Sequence, residues 1–352
     1  MPRETCTECR FDSEAYTIRD VGGAFRALAP WWEIALRDRG EEIFARPSPD
    51  RWSAFEYLDH TREVLEILKL GIDLLLAEDG VQFPTIAPPP VDPEPKRGDV
   101  ATEVERLATA SQALDRHARD RTITGSENVG VTGDGTTVTA PWLLRHAVHD
   151  ALHHLRDIAR GFVALGVGVA MHEGVVDQIN VSNGGVPKAS VPAARAGSRG
   201  LVGDRQADRK HHGRVFQALC LYSTEAITRL QDDGHPIHPG AVGENLTLRG
   251  LRWSELRPGT RLQVGTAILE LSVPAIPCAK NAQWFADGDF DRLHHDRHPG
   301  ETRWYACVMS DGEIRVGDPV VVEGPARRLR RTCRAFEAPT ARNGQDDPTR
   351  RT

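Results

Sequence analysis

The feature that most limits how this chain can fold is a change of hydrophobic period near Ala164–Glu173. Before it, apolar residues recur at helical spacing; after it, short β-branched runs alternate with Gly and Pro turns. A single core does not serve both patterns, and 352 residues exceed what one ordinary core covers, so two domains are expected. The boundaries read as an N-terminal segment 1–14, a helical domain 15–165, a linker 166–173, a β-rich domain 174–325 and a disordered tail 326–352. So short a linker predicts fixed packing between the halves.

The helical half predicts four long helices. Pro30–Arg39 is the surest part of the first, with Pro30 in its first turn. Ser53–Ala77 opens on a capping box of Ser53 and Glu56 and carries Val64, Leu68, Ile72 and Leu75 at helical spacing. A proline-dense crossover, Phe83–Gly98, separates it from Val100–Arg121; a hairpin around Gly133-Asp134-Gly135 then leads to Pro141–Val163. Four helices with one irregular crossover make an antiparallel bundle. In the second half, seven runs predict strands: Val175–Val181, Gln217–Tyr222, Glu244–Leu248, Arg261–Val264, Ile268–Val273, Trp304–Met309 and Pro319–Val322. With a short helix near Thr224–Asp232, the fold class is α+β multidomain, a helical bundle followed by a mostly-β barrel with peripheral helices.

Hydrophobic content of 39% and charged content of 27% are those of a globular protein. A formal charge of −6 gives no general attraction to nucleic acid or to an anionic membrane. No apolar run approaches the roughly 18 residues of a membrane span, and the first residues are polar, so a cytoplasmic protein is expected. Six irregularly spaced cysteines read as reduced thiols and ligands rather than a disulfide framework.

Two constellations carry chemistry. In Ala140–Arg160, His149 and His153 are four residues apart and stack on one helical face, where they can share a metal ion. His60 points to the bundle interior, so His60, His149 and His153 form the expected set for Zn²⁺, Ni²⁺ or Fe²⁺. Asp59, Asp150 and Asp157 are expected to orient the rings, and His146 and His154 to lie outside the set. Cys6 and Cys9 form a CxxC that lacks two further ligands in its neighbourhood and reads as an incidental pair. In the second half, Cys278 follows Pro277 at the end of an apolar strand, where a thiolate at the sheet rim suits a soft metal or a sulfur atom.

The pattern Trp52-Ser53…Tyr57-Leu58-Asp59-His60, a proline-rich crossover, a hairpin and His149-x-x-x-His153-His154-x-x-Asp157-Ile158 resembles the DinB/YfiT-like four-helix superfamily. That resemblance implies a divalent metal held by His60, His149 and His153, and an activity such as thiol S-transfer with a low-molecular-weight thiol. The order Ile179–Lys188, Gly200–Asp204, Lys210–Gly213, Gly243–Leu246, PAIPC and Thr302–Tyr305 resembles the MOSC domain, with the hydroxylaminopurine-resistance proteins the nearer branch. It implies a molybdenum cofactor (molybdopterin) with Cys278 as protein thiolate or sulfur carrier. Lys188, His212, Arg214, Asn245 and Arg303 are then the expected cofactor-binding residues. The chain departs from the family's His-Gly-Gly by carrying His212-Gly213-Arg214.

The expected function is therefore a molybdenum-dependent oxidoreductase acting on N-hydroxylated or N-oxygenated small molecules, fused to a divalent-metal bundle. The alternatives are a sulfurtransferase using a Cys278 persulfide and a thiol S-transferase using the bundle. The partners implied are an external electron donor or a cysteine desulfurase, a low-molecular-weight thiol, and a second copy of the chain as a homodimer.

Overall fold

The computed structural model describes residues 3–84, 91–167, 172–206 and 215–323. His212, Arg214 and the tail lie outside those residues. The helical half contains α1 (Ile18–Leu36), α2 (Ala54–Ala77), α3 (Val100–Arg119), the short α4 (Arg121–Gly125) and α5 (Ala140–Ala164). The four long helices pack in the ring order α1–α3–α2–α5 and back to α1. α2 begins as expected: the Ser53 hydroxyl accepts from Glu56 N at 3.2 Å and the Glu56 carboxylate accepts from Ser53 N at 2.8 Å. α1 starts twelve residues earlier than Pro30 suggests, because Thr17 and Asp20 form a second capping box, and Pro30 falls inside the helix. The crossover brings β1 (Val81–Gln82) beside the hairpin of β2 (Gly130–Val131) and β3 (Thr137–Val138).

The second half contains β4 (Glu173–Val181), β5 (Ala189–Val191), β6 (Ala193–Gly197), β7 (Gly200–Leu201), β8 (Leu219–Ser223), α6 (Thr224–Asp232), β9 (Leu246–Arg249), β10 (Arg261–Val264), β11 (Ala267–Pro274), β12 (Trp304–Ser310), β13 (Gly312–Arg315) and β14 (Pro319–Val322). Its main sheet runs β14-β10-β11-β12-β8-β9-β4-β5, and β14 also pairs with β4. That last pairing closes the seven expected strands into a barrel, which removes their free edges. A side sheet of β13-β6-β7 covers one flank.

The halves share a core. Phe216, Cys220, Val273, Ala275 and Tyr305 of the barrel are buried with Trp31, Tyr16 and Phe11 from the helical half, and Ile34 of α1 is buried with the barrel core. Phe216 packs edge-on against Trp31 with centroids 5.2 Å apart. Across this seam Arg156 of α5 pairs with Glu270 of β11, and both side chains are buried. The seam encloses a cavity of about 50 Å³.

Candidate functional sites

Two turns of α5 and one of α2 build the bundle site. His60 stands over the ring of His154 at 5.2 Å between centroids and over Trp52 at 4.7 Å. His154 Nε2 lies 3.4 Å from Asp150, and its Nδ1 lies 3.2 Å from the Asp157 carboxylate. One ligand atom each from His60, Asp150 and His154 lies within 4.8 Å of the others. Asp150 Oδ2 is buried without a hydrogen-bond partner, so this carboxylate of the cluster keeps an unsatisfied acceptor.

The protonation states follow from the surroundings. Burial and the nearby His154 charge push His60 down to about 4, so it is a neutral ring with a free lone pair. Burial also disfavours a charged His154, but Asp150 and Asp157 outweigh it and raise that ring to about 10. Loss of solvation disfavours the Asp150 carboxylate, yet the charge and hydrogen bond of His154 hold its carboxyl well below the usual range. The residues present suit a divalent cation once it displaces one proton: His60 is already a neutral imidazole, Asp150 keeps an oxygen without a partner, and His154, charged between the two carboxylates, would give up its Nε2 proton to the solvent while Asp157 holds Nδ1.

The structure brings together a different set from the one expected. His60 meets Asp150 and His154, not His149 and His153. The pairs 149/153 and 150/154 have the same spacing but sit about 100° apart on the helix, and packing turns the second pair towards α2. His149 and His153 face the N-terminal segment instead, where their ligand atoms lie within 4.8 Å of the Cys6 and Cys9 sulfurs. His154, expected outside the set, is within it.

In the barrel, Cys278 follows β11 and is the exposed cysteine among the five described; Cys220 is buried and Cys307 half-buried, and loss of solvation pushes their thiols up to about 11 and about 12. Its backbone N–H donates to Asn281 Oδ1 at 3.2 Å, which anchors the turn that presents the thiol. Lys188 pairs with Asp204 at 2.6 Å, with side chains 9% and 1% exposed. Asn245 donates to the same Asp204 at 2.9 Å and to Asn180 O at 3.3 Å, and accepts from Cys220 N at 3.1 Å. Arg303 is buried and donates to the Val242 carbonyl. These three expected binding residues are therefore engaged within the barrel, and none is hydrogen-bonded to Cys278. Asp204, which joins Lys188 to Asn245, is a residue that motif reasoning does not single out; its signal in the sequence is its place at the end of the Gly200–Asp204 turn.

Two family models match this chain, one in each half. The MOSC-domain family model matches residues 208–321, and the DinB superfamily model matches residues 26–158. Protein YiiM of Escherichia coli (strain K12) is 30% identical over 125 residues, covering 34% of this chain and 55% of that protein. YflK of Bacillus subtilis (strain 168) is 31% identical over 116 residues, covering 33% and 52%. The chain spans about half the length of these curated relatives. Among solved structures, YiiM from Geobacillus stearothermophilus is 26% identical with a TM-score of 0.35, covering 43% of this chain and 75% of that one. YfiT from Bacillus subtilis, which has an unusual four-helix bundle topology, is 15% identical with a TM-score of 0.36, covering 47% and 93%. The chain is a two-domain fusion, a DinB-superfamily helical domain followed by a MOSC domain.

Proposed function

We propose that the barrel holds molybdenum cofactor through Cys278 and reduces N-hydroxylated small molecules, while the bundle holds a divalent metal on His60, Asp150 and His154. The observation that carries the first part is the solvent-facing thiol of Cys278 on an anchored turn at the end of β11. A soft thiolate suits a high-valent metal. Gly185 and Gly203 have φ of +99° and +91°, and nothing lies within 4 Å of where a Cβ would be. Such open glycine turns let backbone N–H groups approach a phosphate. Lys188 is neutralised by Asp204, so its role is to hold the Asp204–Asn245 network rather than to bind an anion.

The balanced reaction is R–NHOH + 2e⁻ + 2H⁺ → R–NH₂ + H₂O: the N–O bond breaks, and the oxygen leaves as water. When bound, the cofactor supplies two-electron oxygen-atom acceptance, and the electrons come from an external donor. The chain's own share is the Cys278 ligand, the Asn281 anchor and the rim formed by the Asp204 network.

A second reading, a metal-dependent S-transferase using a low-molecular-weight thiol, is favoured by the buried, unpartnered Asp150 Oδ2 beside His60 and His154. Expression in a host that makes the cofactor separates the readings. Molybdenum near one per chain, lost in Cys278→Ser and kept in His60→Ala, supports the first, as does reduction of an N-hydroxylated base that follows the same pattern. No molybdenum, with a Cys278 persulfide seen by mass spectrometry, replaces it with a sulfur carrier fed by a cysteine desulfurase. Thiol transfer that survives Cys278→Ser and is lost in His60→Ala replaces it with the S-transferase.

A further inference from the structure

We propose that Cys6, Cys9, His149 and His153 form a structural zinc site that clasps the N-terminal segment to α5 at the seam between the domains. This site shares no ligand with the His60–Asp150–His154 set and does not involve Cys278, so it stands or falls apart from the proposed function.

The donor set comes first. Two thiols and two imidazoles are the N₂S₂ combination that zinc takes in closed, four-coordinate sites. The four ligand atoms already lie within 4.8 Å of one another. A tetrahedral zinc with ordinary bond lengths places its ligand atoms about 3.3–3.8 Å apart. Closing the set thus takes shifts of about an ångström, within reach of side-chain rotation on a loop facing a helix.

The ring orientations point the same way. His149 Nδ1 lies 2.5 Å from Glu4 Oε1, while its Nε2 is buried with no hydrogen-bond partner. A carboxylate on one ring nitrogen keeps the proton there and leaves the lone pair on the other, which is how metal-bound histidines are held. A buried nitrogen left without a partner costs about 1–3 kcal/mol, and a cation at this place removes that cost. His153 is turned the other way and held more loosely: its Nδ1 is 3.7 Å from Cys6 Sγ, and its Nε2 is 3.8 Å from the Asp157 carboxylate, too far for a hydrogen bond.

The segment itself is built to present the sulfurs. Cys6 N donates to Phe11 O at 2.9 Å, and Thr5 bridges Asp12, so the CxxC sits in a closed turn. Arg10, directly after Cys9, has φ of +54°, a conformation that non-glycine residues seldom take unless neighbours hold it. Phe11 stacks on His149 with ring centroids 4.4 Å apart. All four metal positions are protein ligands, which leaves none for substrate and makes the role structural. Arg10 extends from this turn to the barrel, donating to Val308 O at 3.2 Å and pairing with Asp311 at 3.3 Å. The clasp therefore ties one segment to both domains.

The test uses the full-length protein loaded with zinc. Elemental analysis should show one zinc per chain fewer in Cys6→Ser/Cys9→Ser than in wild type, with no such difference arising from Cys278→Ser. In wild type, iodoacetamide labelling followed by mass spectrometry should modify Cys278 at once, but Cys6 and Cys9 at least tenfold faster after a chelator is added. This second measurement needs no variant to fold. Cobalt substitution should give sulfur-to-metal charge-transfer and intense tetrahedral ligand-field bands that the double variant lacks. Equal zinc content in wild type and the double variant, chelator-independent labelling of Cys6 and Cys9, or a Cys6–Cys9 disulfide in the zinc-loaded protein would each overturn the proposal.

Discussion

Arg156 of the last bundle helix and Glu270 of the barrel form a buried ion pair across the domain seam, and the pair is not symmetric. Glu270 also receives Arg261 at 3.0 Å, whereas among the described residues Arg156 forms an ion pair with no other carboxylate. Removing Glu270 leaves a buried guanidinium unpaired; removing Arg156 leaves Glu270 still paired. Glu270→Ala should therefore cost about 3–5 kcal/mol, and Arg156→Ala only about 1–3 kcal/mol. Chemical unfolding of the two variants checks the order, and equal losses would refute it.

The same seam depends on a close backbone approach. A Cβ on Gly259 would lie 2.3 Å from Ala159 Cβ of α5, and Gly259 has φ of +82°. Gly259→Ala thus meets both backbone strain and overpacking and should destabilise by about 1–3 kcal/mol. Because the clash is with the other domain, limited proteolysis should release the halves from one another sooner in this variant than in wild type.

The Lys188–Asp204 pair carries a comparable asymmetry at the barrel rim. Asp204 accepts from Lys188, Asn245 and Ser182 N. Asp204→Ala strands a buried ammonium and two donors, and should cost about 3–5 kcal/mol. Lys188→Met leaves Asp204 with its two neutral donors and an apolar side chain of similar length beside it. It should cost less, as thermal unfolding of both variants would show.

Acid stability should report on the start of α2. Burial alone would raise the Glu56 carboxyl, but hydrogen bonds from Arg46, Ser53 and Lys96 overcome it and hold the group at about 2, against an ordinary 4.5. A lowered carboxylate pKa adds stability above the ordinary value that is lost as pH falls from there towards the folded value. Wild type should lose stability between about pH 5 and pH 2 by this route. In Glu56→Gln that part of the slope should vanish; an unchanged slope would assign the acid loss elsewhere.

In the bundle, Asp157 holds His154 by Nδ1 at 3.2 Å. Asp157→Asn should lower divalent-metal affinity at the His60–Asp150–His154 site by about 10–100-fold. Zinc titration calorimetry in a Cys6→Ser/Cys9→Ser background isolates this site from the N-terminal cysteines. An undiminished affinity there would mean that Asp157 does not orient the ligand.

Local rules carried much of the architecture. The reciprocal Ser53–Glu56 cap marked the start of α2, and the seven β-branched runs are the seven strands of the closed barrel. The missed strands β5, β6, β7 and β13 are short, exposed or rich in Ala and Gly, so they lack the apolar alternation that marks a strand. Along the chain a proline inside a helix looks like a proline that starts one, so Pro30 predicts a later start than the Thr17–Asp20 cap sets.

The sites divide along a similar line. Residue types and the four-residue spacing on α5 were enough to say that a metal could be held there, and the PAIPC stretch was enough to single out Cys278. Spacing alone allows 149/153 or 150/154, however, and the choice between them is a rotation of α5 about its axis. That rotation is set by which apolar residues are buried, among them Ala147, Val148, Ala151, Leu155 and Ile158. It turns Asp150 and His154 towards His60, and His149 and His153 towards Cys6 and Cys9, residues about 140 positions away. Periodicity determined that a histidine-bearing face exists; only the packed core decided what each face meets.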